Sequence, residues 1–226
     1  MAVPVADRAR LFPLYALNLE VARAPWVSKE PMIGEMRLQW WRDVVAEPVA
    51  RAHEVAGPFH AVTQAAGLPL QVIDRLIAAR LHDVYGEAFA DSAAFDSYLD
   101  DTAGGLMWLA AKACGGEDEA AARALGWAVG LANYLRAVPE LEARGRLPLP
   151  DGRATAVRAL AEAGLRRLDA AARGRVPKPA ALAAWQARGL LRQVQANPRV
   201  VAEARMGLSE FARRGGLLWA AVTGRM

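Results

Sequence analysis

The stretch Gly130-Leu-Ala-Asn-Tyr-Leu-Arg-Ala-Val-Pro-Glu-Leu-Glu-Ala-Arg-Gly-Arg-Leu-Pro-Leu-Pro150 begins as a helix former and ends in a run punctuated by prolines. As a helix it sets Asn133, Arg136, Ala137 and Leu141 along one face, because residues three and four apart stack above one another. That face starts polar and turns apolar. A buried polar pair such as Asn133 and Arg136 is costly without an anion or a hydrogen-bond partner, so a site on this chain is expected here. The alternative is that Asn133 bonds a neighbouring helix and Arg136 reaches solvent. Pro139 lacks a backbone donor and is expected to bend or end the helix within a turn.

Around this stretch, the composition points the same way. The 226 residues are 54% hydrophobic, much of it Ala and Leu, which favour helix. No Ser/Gly-rich linker divides them, so a single domain over residues 1–226 is expected. The net charge of +4 and pI near 9.6 come mostly from arginine, which suits anionic ligands or an acidic membrane surface. Cys114 is alone, which rules out an internal disulfide and favours a reducing compartment. The start carries no signal-peptide pattern, and no apolar run reaches the length needed to span a bilayer. A cytoplasmic protein is expected, with peripheral contact at the inner face of the membrane left open.

Upstream, residues 7–23 read as a helix that is apolar over most of its circumference, closed by Pro25 and suited to a bundle interior. A second helix starts at Pro31, and Met36, Trp40, Trp41 and Val44 recur in it at helical spacing. Shorter helices are expected over 59–66 and 69–85. Ser92 reads as the N-cap of a helix through Tyr98 and Leu106 that stops at Gly115-Gly116. Inside it the doublet Gly104-Gly105 costs roughly 1 kcal/mol per glycine, so a neighbouring helix or a ligand comes close there. Glu117-Asp118-Glu119 sit where negative charge complements the next helix dipole. Downstream, helices are expected over 155–173, 180–196 and 201–222. No repeat, heptad run or β-alternation interrupts the picture of an all-α bundle of eight or nine helices.

Recognisable chemistry is sparse. His53, His60 and His82 have no metal-ligand spacing with one another or with Cys114. There is no Gly-x-Ser-x-Gly elbow and no phosphate-cradling glycine loop. Asp100-Asp101 reads as a solvated pair, since nothing acidic follows at the next helical turn. Arg166-Arg167 and Arg213-Arg214 lack the context of a nucleic-acid binder. Phe211, Leu217 and Trp219 in the last helix suit a membrane surface or a docking face of the core equally well.

Four stretches, in order, resemble the squalene/phytoene synthase family. They are Tyr15-Ala-Leu-Asn-Leu-Glu-Val-Ala-Arg-Ala-Pro25, Gly34-Glu-Met-Arg-Leu-Gln-Trp-Trp-Arg-Asp43, the segment from Tyr98 to Gly104, and Leu131 to Arg136 with Gly145-Arg-Leu-Pro-Leu-Pro150. The resemblance covers roughly residues 10–150 and implies the isoprenoid synthase fold, whose central apolar cavity joins two prenyl diphosphates. It makes Tyr15, Arg37, Tyr98, Asn133 and Arg136 the candidate cavity residues. It also implies two aspartate-rich motifs that hold magnesium against the departing diphosphate. At those positions this chain has Ala22, Arg23 and Trp26 in the first motif and Ala137 and Leu141 in the second, with Glu140 a partial substitute.

No metal residue or cofactor is therefore expected, magnesium being implied only for an active synthase. The pattern is most similar to the aspartate-poor branch that includes the mitochondrial complex I assembly factor. That similarity implies a non-catalytic protein that binds a polyprenyl or quinone-like lipid, or a prenyl diphosphate, and assists a respiratory-complex subunit. The alternative is an active head-to-head prenyltransferase of isoprenoid biosynthesis, with Arg23, Arg37 and Arg136 standing in for magnesium.

Overall fold

The computed structural model describes residues 3–49 and 51–223, and among them every regular element is helical. Helix α1 (Val5–Arg23) is followed by a 3-10 turn, Ala24–Trp26, and by α2 (Pro31–Ala46), whose first turn accepts Pro31 because it has no intrahelical donor to lose. Helix α3 (Ala56–Ala66) ends on Gly67 at φ 56°, a left-handed cap that favours glycine. Then come α4 (Leu70–Ala79), α5 (Leu81–Tyr85), α6 (Ser92–Leu99), a π-helical turn Asp100–Gly104, and α7 (Gly105–Ala113). The long α8 (Glu119–Ala143) and α9 (Ala154–Ala171) precede α10 (Lys178–Ala181), α11 (Ala187–Ala196), α12 (Arg199–Ala202) and α13 (Glu210–Thr223).

Among the described residues the expected bundle is present as nine helical runs, four of them interrupted. The run over 69–85 turns at Arg80, whose N–H bonds Ile77 O at 3.1 Å and tightens the last turn of α4. The run over 92–113 holds the π turn. Leu182–Ala184 is a 3-10 turn between α10 and α11. The expected last helix is in fact two, because Ala204 takes a left-handed conformation (φ 54°) and Arg205 N–H closes on Val200 O at 2.9 Å. Pro139 sits inside α8, which runs one further turn to Ala143. The side chains of Arg213 and Val222, both in the expected last helix, lie outside the described set.

Three expectations change in detail. Asp91, not Ser92, caps α6, its carboxylate accepting from Ala94 N–H at 2.8 Å. Helix α1 leaves Phe12 and Leu19 about half exposed, so it lies at the bundle's edge along that side. Asp100 and Asp101 are ion-paired rather than solvated: Asp100 lies 3.0 Å from Arg123 and Asp101 3.7 Å from Arg75.

Helix α8 is the centre of the core. Its Leu131, Ala132 and Leu135 are almost wholly buried, and Asp118 caps its start by accepting from Ala121 N–H at 3.0 Å. Close packing against the π turn explains two of its glycines. A Cβ on Gly126 would stand 2.3 Å from Ala103 O, and one on Gly130 would stand 2.4 Å from Ala103 Cβ. Gly104 belongs to the same contact, since a Cβ on Gly126 would also stand 2.9 Å from its Cα, although a Cβ on Gly104 itself would first meet Asp100 Oδ1 of its own turn at 2.8 Å; Gly105 faces Val72 of α4 at 3.3 Å. A neighbouring helix therefore accounts for the doublet.

Candidate functional site

Helices α1, α6 and α8, the π turn and the end of α4 enclose a cavity of about 380 Å³, within the range of small-molecule sites. Its apolar side is formed by Leu106, Met107 and Val129, with Ala183 of the 3-10 turn. The π turn shapes it: Thr102 Oγ1 donates to Tyr98 O at 2.6 Å, and Thr102 and Ala103 then face the space.

The polar end is built around Arg80. Its Nη1 donates to Asp83 Oδ2 at 3.0 Å and to Tyr98 Oη at 2.9 Å, and its Nη2 reaches Asn18 Oδ1 at 3.5 Å. Tyr98 Oη lies 2.9 Å from each Asp83 oxygen and donates to that carboxylate. Burial opposes the Arg80 charge, but Tyr98 and Asp83 outweigh it and raise the guanidinium pKa. Burial pushes the Tyr98 and Tyr134 hydroxyls well above their ordinary values, and lifts Tyr15, with a smaller contribution from Cys114, to about 12. All three phenols are thus protonated donors near neutral pH. Rings hold them in place: Tyr134 lies edge-on to Phe95 (5.1 Å between centroids) and to Tyr98 (5.9 Å).

Two of these phenols are committed within the protein, Tyr98 to Asp83 and Tyr134 to Pro148 O at 3.0 Å. Tyr15 Oη and the Asn133 amide line the cavity without a protein hydrogen-bond partner among the described residues. The Asn18 amide, which accepts from Arg80 through Oδ1, keeps its N–H groups uncommitted as well.

Of the five residues expected at the cavity, the structure brings together Tyr15, Tyr98 and Asn133. Arg37 lies elsewhere, paired with Glu20 at 2.5 Å, and Arg136 is exposed on α8 outside the lining. Asn133 is itself largely exposed, so the costly buried pair with Arg136 does not form. Sequence reasoning missed Arg80 and Asp83. The signal was present, because Arg80 interrupts the apolar face of its helix and Asp83 follows at i+3, where the two can pair.

The positions of the two aspartate motifs carry different chemistry. Trp26 receives the guanidinium groups of Arg144 and Arg146 at 4.4 and 4.7 Å from its ring centroid. Arg146 Nη1 also donates to Asp83 O at 2.7 Å, which ties this clasp to the polar end of the cavity. Apart from the paired Asp83, no carboxylate stands at that end, and no group of three His, Cys, Asp or Glu side chains could hold a metal among the described residues. Alanine, leucine, tryptophan and arginine do not supply the oxygen ligands that magnesium takes, so the residues present do not fit a magnesium cluster.

The chain is 27% identical to the Bos taurus NADH dehydrogenase (ubiquinone) complex I, assembly factor 6 over 156 residues, 66% of this chain and 47% of that protein. It is 26% identical to the Homo sapiens protein of the same name over 162 residues, again 66% and 47%. It thus spans about half the length of the curated relatives it matches. A crystal structure of a dehydrosqualene synthase in complex with ligand superposes with a TM-score of 0.74 at 13% identity, over 96% of this chain and 87% of that one, which shows a shared fold. Residues 2–158 match the squalene/phytoene synthase family, and the chain belongs to that family.

Proposed function

We propose that this chain is a non-catalytic member of its family that holds an uncharged polyprenyl or quinone-like ligand and serves assembly of a respiratory complex, at the periphery of the inner face of a membrane. The observation that carries the ligand is the state of the cavity's polar groups. Among the described residues its one cation, Arg80, is already neutralised by Asp83, whereas Tyr15 Oη and the Asn133 amide have no protein hydrogen-bond partner and can donate. A diphosphate needs several cations, and a carbonyl or hydroxyl head needs one or two neutral hydrogen bonds. Leu106, Met107 and Val129 offer the surface for an apolar tail. The assembly role rests on the names of the relatives. The prenyltransferase alternative would place Arg23, Arg37 and Arg136 at the leaving group, and none of the three lines the cavity.

The test is equilibrium binding of a short-chain quinone, farnesol and farnesyl diphosphate, with and without magnesium, alongside assay of diphosphate release. Binding of the neutral ligands, weakened by Tyr15→Phe and Asn133→Ala, with no diphosphate release is the expected result. Magnesium-dependent release, or preference for the diphosphate, would overturn the ligand assignment. Failure of the tagged protein to recover any respiratory-complex subunit from its native cells would overturn the assembly role.

A further inference from the structure

Most described residues of helix α13 are exposed. Its Gly216 stands over Trp185, with a Cβ position 3.5 Å from the indole, and it packs beside the 3-10 turn Leu182–Ala184. Its outer side shows Phe211 at 89%, Leu218 at 67% and Trp219 at 62% exposure. Positions 211, 218 and 219 are separated by seven and eight residues, so they form one stripe along the helix. Arg213 and Arg214 lie in the same helix, and its sole acid, Glu210, is paired with Arg214 at 2.9 Å.

We propose that α13 is an interfacial helix that docks this chain on an anionic phospholipid surface. Two considerations favour a bilayer over a protein partner. The stripe has three large side chains, short of the roughly 800 Å² per partner that a stable protein interface buries, whereas insertion of a few apolar side chains beside cations suffices for surface binding. The charge also fits, since the helix is net basic in a chain of net charge +4.

Placement gives the docking a purpose. The turn beneath α13 contains Ala183, which lines the cavity of Tyr15 and Asn133. An apolar ligand of that cavity would then be exchanged at the bilayer without crossing water. This last step rests on the ligand proposed above; the docking supplies the peripheral membrane contact proposed there and does not depend on the ligand.

The experiment is flotation of the full chain with vesicles of phosphatidylcholine alone and of phosphatidylcholine with phosphatidylglycerol. The expected result is binding to the anionic vesicles that weakens with salt and falls roughly tenfold or more in Phe211→Ser/Leu218→Ser. The same variant should bind the short-chain quinone in solution with unchanged affinity and take it up more slowly from anionic vesicles. Circular dichroism confirms that the variant is folded. Absence of flotation with anionic vesicles, equal flotation of the variant, or a solution dimer that the variant abolishes would overturn the docking. Loss of quinone binding by the unmodified chain would instead overturn the ligand and leave the flotation result standing.

Discussion

Arg80→Met is the sharpest perturbation of the cavity, because it keeps most of the stem and removes the group that neutralises Asp83. The two side chains are 17% and 18% exposed, so water replaces little of what the carboxylate loses. Breaking a buried pair costs about 3–5 kcal/mol. Tyr98 still donates to Asp83 in the variant and some solvent reaches it, which lowers the expected loss to about 2–3 kcal/mol. At about 2–4 °C per kcal/mol for a domain of this size, Tm falls by about 5–10 °C. Adding Asp83→Leu removes the orphaned charge and should recover about 1–2 kcal/mol of that loss. Urea denaturation followed by far-ultraviolet circular dichroism, completed as a double-mutant cycle, reads both numbers. An unchanged midpoint in Arg80→Met, or strictly additive losses in the double variant, would refute the neutralised pair on which the ligand's charge was argued.

Glycine 126 tests the contact between α8 and the π turn: Gly126→Ala puts a methyl group 2.3 Å from Ala103 O and 2.5 Å from Met107 Cβ. Overpacking of about 1–3 kcal/mol should exceed the helix-propensity gain of about 1 kcal/mol, whereas Gly57→Ala in α3, with open space around it, should hold or raise the urea midpoint. Asp118 accepts from the N–H groups of Ala121 and Arg175, and these bonds hold its carboxyl below the ordinary value. Its contribution to stability is therefore complete above the unfolded carboxylate pKa near 4 and is lost as pH falls through the lower folded value. Thermal melts across that window should show the unmodified chain losing stability more steeply with acid than Asp118→Ala, which starts lower at neutral pH; parallel curves would sink the assignment.

The sequence by itself determined the helical class, the run boundaries to within a turn and the family, because these depend on local composition, periodicity and ordered motifs. It also located the missing carboxylates, since the identity of Ala22, Trp26, Ala137 and Leu141 needs no geometry. The resemblance likewise brought Tyr15, Tyr98 and Asn133 forward, and the structure places all three on the cavity. What only the tertiary structure decided is which charges meet. Arg80 and Asp83 are neighbours in sequence, but their partner Tyr98 comes from α6 and Asn18 from α1, 62 positions away from Arg80. Arg37 and Arg136 looked as suitable as Arg80 because charge carries no direction in a sequence, and the packing of α2 and α8 turned them away from the cavity. The break at Ala204 and the exposed stripe of α13 were hidden for the same reason. In an alanine-rich chain a local pattern shows that a face is apolar, and only the arrangement of the other helices shows whether anything covers it.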